Sequence, residues 1–172
     1  MINNCLQCPH EGRDNIYCRT CEHDNKKNPT FAQILLDVIN KQYIDDFVEK
    51  YATMFPSFFT NDVCVWVACQ SALETGYGTS AIFQENHNLF GMKKPNVRPT
   101  YATGVNRGHA VYNNHAASFL DYVLLLTYQK VSRNDCKDIN NFALFIERIG
   151  YCPSSRYTKT INSIFNEYGR KN

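Results

Sequence analysis

Apolar residues recur at helical spacing almost as soon as the chain leaves its polar N-terminal stretch. Ile34, Leu35, Val38 and Ile39 fall three or four apart, and "TFAQ" (30–33) has the form of a capping box, with Thr30 at the N-cap and Gln33 three residues on. We expect one helix from Thr30 and a second over 44–54, ended by Pro56. Thr60 or Asn61 can cap a third, "DVCVWVACQSALE", which stacks Val63, Val67, Ser71 and Glu74 on nearby faces. Its valines suit a strand, but "ACQSALE" favours helix. That helix must end at "TGYG", where Gly76 and Gly78 permit left-handed backbone. Further helices are expected from Ser118 ("SFLDYVLLLTYQKV"), over 140–149 and over 155–168.

Between residues 86 and 117 the periodicity breaks. Pro95, Pro99, Gly104 and Gly108 punctuate β-prone pieces, "TYAT" and "HAVY". An irregular insert of this length in a helical domain is usually functional. The expected fold is mainly α in an α+β arrangement: a helical lobe with a small β-lobe at about 92–117. No internal repeat is visible, and no apolar run approaches the ~20 residues of a membrane helix.

The N-terminus has a different character. Cys5-x2-Cys8-x9-Cys18-x2-Cys21 pairs four thiols as two tight knuckles, the spacing of a tetrahedral zinc site. So small a piece cannot bury a core, and a structural zinc ion would supply its folding energy. The alternative is two disulfides. We therefore expect a zinc module and linker over 1–27 and a second domain over 28–172. His10 and His23 lie beside the knuckles and are expected outside the ligand set. The module carries Arg13 and Arg19 against Glu11, Asp14, Glu22 and Asp24, a poor balance for phosphate. Protein docking suits it better than nucleic acid. Cys64 and Cys69 read as small buried residues of the third helix. "MINNCLQCPHEG" lacks the basic start and apolar stretch of a secretory signal, so synthesis in the cytoplasm is expected.

Net charge is +2, which names no partner, but its distribution is uneven. From Asn86 to Leu120 there is no Asp or Glu; the charges are Lys93, Lys94, Arg98 and Arg107, with His87, His109 and His115 nearby. Such a segment should draw anionic or polar ligands.

Glu74 stands out as a candidate proton donor. In the last turn of its helix it meets the negative end of the helix dipole, and apolar neighbours would bury it. Both effects favour the protonated carboxyl that general-acid catalysis at a glycosidic oxygen requires.

The stretch "ACQSALETGYGTSAIFQENHNLFGMK" resembles the glucosaminidase family of peptidoglycan hydrolases, which includes autolysins and flagellar rod-cap proteins. The matching residues are Glu74, Gly76-Tyr77-Gly78, Ser80, Asn88-Leu89-Phe90-Gly91 and Lys93. "VYNNHAASFLDY" and "GYCPSSRYTKTINSIFNEY" are similar to two later family segments. The resemblance implies a lysozyme-like fold, with Glu74 protonating the leaving oxygen of a β-1,4 bond between N-acetylglucosamine and N-acetylmuramic acid. It implies that Tyr151 lines the cleft near the acid and orients an acetamido group or water. Tyr77, Asn88, Phe90, Tyr101, Tyr112 and Tyr157 are the candidate substrate contacts, the aromatic ones by stacking on sugars. Peptidoglycan strands are the implied partner, and together with the lack of a secretory signal this leads us to expect a phage lysin or virion-associated enzyme acting at the bacterial wall.

One element of a glycosidase is missing. Such enzymes usually employ two carboxylates, and the lobe has none. Glu85 precedes it and is expected on the surface; Asp121 reads as a helix-start residue. Three explanations stay open: the substrate's N-acetyl group acts as internal nucleophile, its 6-hydroxyl attacks as in a lytic transglycosylase, or the protein binds glycan without cleaving it.

Overall fold

Short polar side chains start the helices. The computed structural model describes residues 30–154 and 156–169; Cys5, Cys8, Cys18 and Cys21, with the zinc module expected there, lie outside the described residues. Thr30 Oγ1 accepts from the Gln33 amide and opens α1 (Phe31–Tyr51). Thr60 does the same for Val63 at α2 (Asn61–Thr75), and Ser80 for Phe83 at the short α3 (Ala81–Asn86). Asn114 caps α4 (His115–Tyr128) and Asp138 caps α5 (Ile139–Arg148). The last helix is α6 (Tyr157–Gly169). Each cap satisfies an amide that the first helical turn leaves without a partner.

Three boundaries differ from expectation. α1 is one helix of 21 residues where two were expected, because "NKQY" (40–43) holds no glycine or proline to interrupt it. α4 begins at His115 rather than Ser118, since Asn114 takes the cap. α3 was not expected; only its Ser80 cap signalled it. The apolar residues that announced α1 are also about half exposed, and the helix enters the core only near Ile44 and Phe47.

α2 is the central element. Ten of its fifteen residues are buried, among them Trp66, Val67, Cys69, Gln70 and Ser71. It is flanked by α1, α5 and α6. Trp66 Nε1 donates to Asn162 of α6 at 2.6 Å, so the one tryptophan buries its ring without orphaning its N–H. Phe47, Tyr51, Phe55 and Phe119 interlock α1 with α4; the Tyr51 and Phe119 rings stack at 4.7 Å.

The small lobe is a single antiparallel hairpin, β1 (Gly104–Asn106) with β2 (His109–Val111). Arg107 and Gly108 both have positive φ, the two-residue turn that matches strand twist. "HAVY" supplies β2 as expected, whereas "TYAT" runs up to β1 without forming a strand. The molecule is thus mainly helical with a small two-stranded sheet, the expected fold class. Among the described residues, no helix is long and apolar enough to cross a membrane.

Candidate active site

α2 ends at Glu74 and Thr75 because Gly76, Tyr77 and Gly78 all turn left-handed, with φ of 57°, 54° and 79°. A side chain at Gly78 would come 3.2 Å from the Tyr43 ring, so the turn packs tightly on α1. The carboxyl of Glu74 is left at the helix end, half-buried.

Both of its oxygens are placed. Oε1 accepts from the Tyr157 phenol at 2.5 Å. Oε2 lies against Gly91, where a Cβ would sit only 3.0 Å away; at φ +61° that position suits glycine twice over. Burial pushes the Glu74 proton affinity up, and the Tyr157 hydrogen bond and nearby His109 pull it part of the way back. The net direction is upward, toward a carboxyl that keeps its proton.

Tyr157 is itself held. Gln70 Nε2 donates to its oxygen at 3.0 Å, and Gln70 Oε1 accepts from Tyr122 at 2.6 Å. Because the Gln70 amide nitrogen can only donate and its oxygen only accept, the chain runs one way, from Tyr122 through Gln70 and Tyr157 to Glu74. Burial first, then the neighbouring Glu74, hold the Tyr157 and Tyr122 phenols far above the ordinary tyrosine range, so both remain donors.

The loop from Asn88 to Met92 forms the next wall. Asn88 is wholly buried: its Oδ1 accepts from the Phe90 and Met92 amides, and its Nδ2 donates to the Met92 and Ala110 carbonyls. Ser71 donates to the Leu89 carbonyl at 2.9 Å, tying the loop to α2. So fixed, the loop offers the Phe90 carbonyl to Tyr151, whose phenol donates to it at 2.7 Å. The Tyr151 and Tyr157 rings stack at 5.9 Å. Beside them opens a cavity of about 430 Å³, lined by Gly91, Lys93, Arg98, Gln129, Gly150 and Tyr151 among others.

The expected site residues therefore divide. Glu74, Tyr151 and Tyr157 come together. Phe90 is 1 % exposed and stacked on Tyr122 at 4.0 Å, so its ring faces are covered by protein. Tyr112 is equally buried and donates to Asp121 at 2.9 Å. Asn88 uses its hydrogen-bonding capacity on the loop and on Ala110 of β2. Tyr77 lines a different, small cavity between α1 and α6. Tyr101 is exposed beside Arg98 and Asp121, with its amide on the Asp121 carboxylate.

The charges also sort differently from the linear reading. Asp121 is not at a helix start; it lies within α4, wholly buried, and holds Arg98 through both oxygens at 3.1 and 3.2 Å. Burial alone would raise its proton affinity, but Arg98, the Tyr101 amide, Thr100 and Tyr112 together hold it below the usual carboxylate range. Glu85 is exposed as expected, and its carboxylate pairs with Arg107 at the hairpin turn. Of the four lobe cations, then, two are paired, and Lys93 and Lys94 are exposed without an ion-pair partner among the described residues.

Gln70 and Tyr122 were not singled out from the sequence, while Gly91 entered only as part of the Asn88–Gly91 motif and His109 only as one histidine of the acid-free segment. Gln70 stands four residues before Glu74, on the same helix face in an otherwise apolar run, a signal that could have marked it. Nothing local points to Tyr122. Among the described residues, no group of three His, Cys, Asp or Glu side chains is clustered to hold a metal ion.

Residues 65–170 match the glucosaminidase family, described as mannosyl-glycoprotein endo-beta-N-acetylglucosaminidase. The chain belongs to the glucosaminidase family. The matched span contains Glu74, Tyr151 and Tyr157 and leaves the cysteine-rich N-terminus outside. Over 57 residues the chain is 40% identical to protein bax of Escherichia coli (strain K12), covering 33% of this chain and 21% of that protein. The glucosaminidase chain thus aligns with about a fifth of that relative's length. The catalytic domain of the autolysin Auto from Listeria monocytogenes is similar with a TM-score of 0.47 and 20% identity, over 91% of this chain and 97% of that domain.

Proposed function

We propose that this glucosaminidase hydrolyses β-1,4 bonds between N-acetylglucosamine and N-acetylmuramic acid in peptidoglycan, with Glu74 as general acid. The observation that carries the reading is the Glu74 carboxyl itself. It is half-buried, hydrogen-bonded by Tyr157 on one oxygen, and set against Gly91, which lines a cavity large enough for amino-sugar rings. With Oε1 occupied by the Tyr157 proton, the acidic proton belongs on Oε2, the oxygen on the Gly91 side. Family membership supports the bond type, and the motifs shared with peptidoglycan hydrolases support the polymer. Lys93 and Lys94 suit a wall whose stem peptides carry carboxylates.

Tyr151 acts through position in this reading. Its phenol is engaged with the Phe90 carbonyl, and its ring, stacked on Tyr157, forms the cavity wall beside the acid. The anomeric carbon is attacked either by the substrate's N-acetyl group as internal nucleophile or by a water that a side chain other than a carboxylate activates, since among the described residues no second carboxylate acts on Glu74. The same lack favours a second reading, a wall-binding protein without turnover.

Digestion of purified peptidoglycan separates these readings. Mass analysis of the muropeptides is expected to show new reducing ends with the wild type and none with Glu74→Gln. Anhydro ends would assign a lytic transglycosylase instead, and binding without any new ends would assign the wall-binding reading.

A further inference from the structure

The carboxylates that could have paired with Glu74 are committed elsewhere. Glu85 closes the hairpin with Arg107, at 3.0 and 3.1 Å. Asp121 is buried under Arg98, Tyr101 and Tyr112. One ionisable side chain of the small lobe, His109, is near enough to the acid for its charge to act on it. His109 opens β2, and its neighbour Ala110 turns the other way, fully buried against Asn88 and Met92. The His109 ring is left half-buried with Nδ1 at the Gly91 carbonyl, and Gly91 is also the residue whose missing side chain makes room for Glu74 Oε2.

The ring's tautomer follows from its contact. Nδ1 lies 2.8 Å from the Gly91 carbonyl oxygen, which can only accept, so Nδ1 carries the proton. In the neutral ring Nε2 is then a bare lone pair. Nε2 has no partner among the described residues, where no fully buried side-chain nitrogen or oxygen is left unpaired. It is therefore open to solvent.

We propose that His109 is the second catalytic group of this site, a general base acting through Nε2 on the attacking water. The inference rests on the hydrolase reading above. In the step, the water oxygen bonds to the anomeric carbon as the glycosidic C–O bond breaks. The leaving oxygen takes the proton from Glu74, and the water's proton passes to Nε2. The site then holds a carboxylate and an imidazolium that attract each other, and solvent returns the proton to Glu74. The Gly91 carbonyl fixes the ring by accepting from Nδ1–H, the orienting part that a carboxylate plays elsewhere. A base that activates water directly inverts the anomeric centre.

The test uses the full chain, purified peptidoglycan and reducing-end release. His109→Gln can keep a donor for the Gly91 carbonyl but has no basic lone pair; His109→Ala leaves a space. Both are expected to lose about 10²- to 10⁴-fold in rate while unfolding at the wild-type temperature. Added imidazole is expected to restore part of the activity of His109→Ala and none of Glu74→Gln. NMR of the first-formed product should show the inverted anomer. A His109→Gln enzyme within threefold of wild type, a rate loss that imidazole does not touch, or a retained anomer overturns the assignment. A wild type that releases no reducing ends overturns the hydrolase reading itself, so the two failures are distinct.

Discussion

Tyr157 donates to Glu74 across 83 residues of chain, at 2.5 Å, and receives a hydrogen bond from Gln70 in turn. The pair joins the first turn of α6 to the last turn of α2. It sets which oxygen of the acid carries the proton and how tightly that proton is held.

Replacing Tyr157 by Phe removes the contact that lowers the Glu74 proton affinity, so that affinity rises further. The acid works when protonated, so the alkaline limb of the pH–rate profile should move to higher pH. The maximal rate should fall, because the carboxyl loses its anchor. Gln70 also loses its acceptor, at a cost of about 1–3 kcal/mol. Rate against pH and denaturant unfolding measure the two effects separately.

Glu74→Gln should abolish turnover and stabilise the fold at neutral pH. The sign follows from the raised proton affinity in the folded state. Ionisation of Glu74 opposes folding, so its penalty grows as pH rises above the unfolded carboxyl range of about 4. The difference in melting temperature between wild type and variant should therefore widen from pH 4 to pH 8. A constant difference would contradict burial as the cause.

Gly91→Ala should cost more activity than stability. Positive φ makes alanine unfavourable by about 1–2 kcal/mol, and the new methyl would meet Glu74 Oε2 at 3.0 Å. The carboxyl must swing away from its place against Gly91. Thermal unfolding and reducing-end release on the same preparation check the split.

The Arg98–Asp121 pair binds the small lobe to α4 with both side chains almost fully buried, at 5 % and 0 % exposure. Asp121→Ala leaves a buried guanidinium unpaired and should cost about 3–5 kcal/mol. Because the folded carboxylate binds its proton more weakly than the unfolded one, its stabilisation is present at neutral pH. It is lost as pH falls below about 4. Denaturant titrations at pH 7 and pH 3 should show the variant's deficit shrinking at the lower pH.

Charge reversal at Lys93 and Lys94 should weaken wall binding, more at low salt than at high. The same change at Arg107 should mainly loosen the hairpin, since that guanidinium is already paired with Glu85. Co-sedimentation with cell walls across a salt series compares them. For the N-terminal cysteines, Cys5, Cys8, Cys18 and Cys21, elemental analysis is expected to give one zinc per chain. Two disulfides detected by mass shift on reduction would assign the alternative.

The sequence by itself determined what depends on neighbours a few residues apart. Helix caps at Thr30, Thr60 and the glycine stop after Glu74 follow from side chains that satisfy or release local backbone groups. So does the mainly helical class with one irregular lobe, and so does the seat of Glu74 at a helix end. Tertiary structure alone decided which groups meet: Tyr157 with Glu74 over 83 residues, Tyr151 with Phe90 over 61, Trp66 with Asn162 over 96. It withdrew Phe90, Tyr112 and Asn88 into the interior, spent Asp121 and Glu85 on arginines, and brought His109 to Gly91. The physical reason is that a side chain's partners in a folded core are chosen by packing between distant segments, and no local periodicity encodes them.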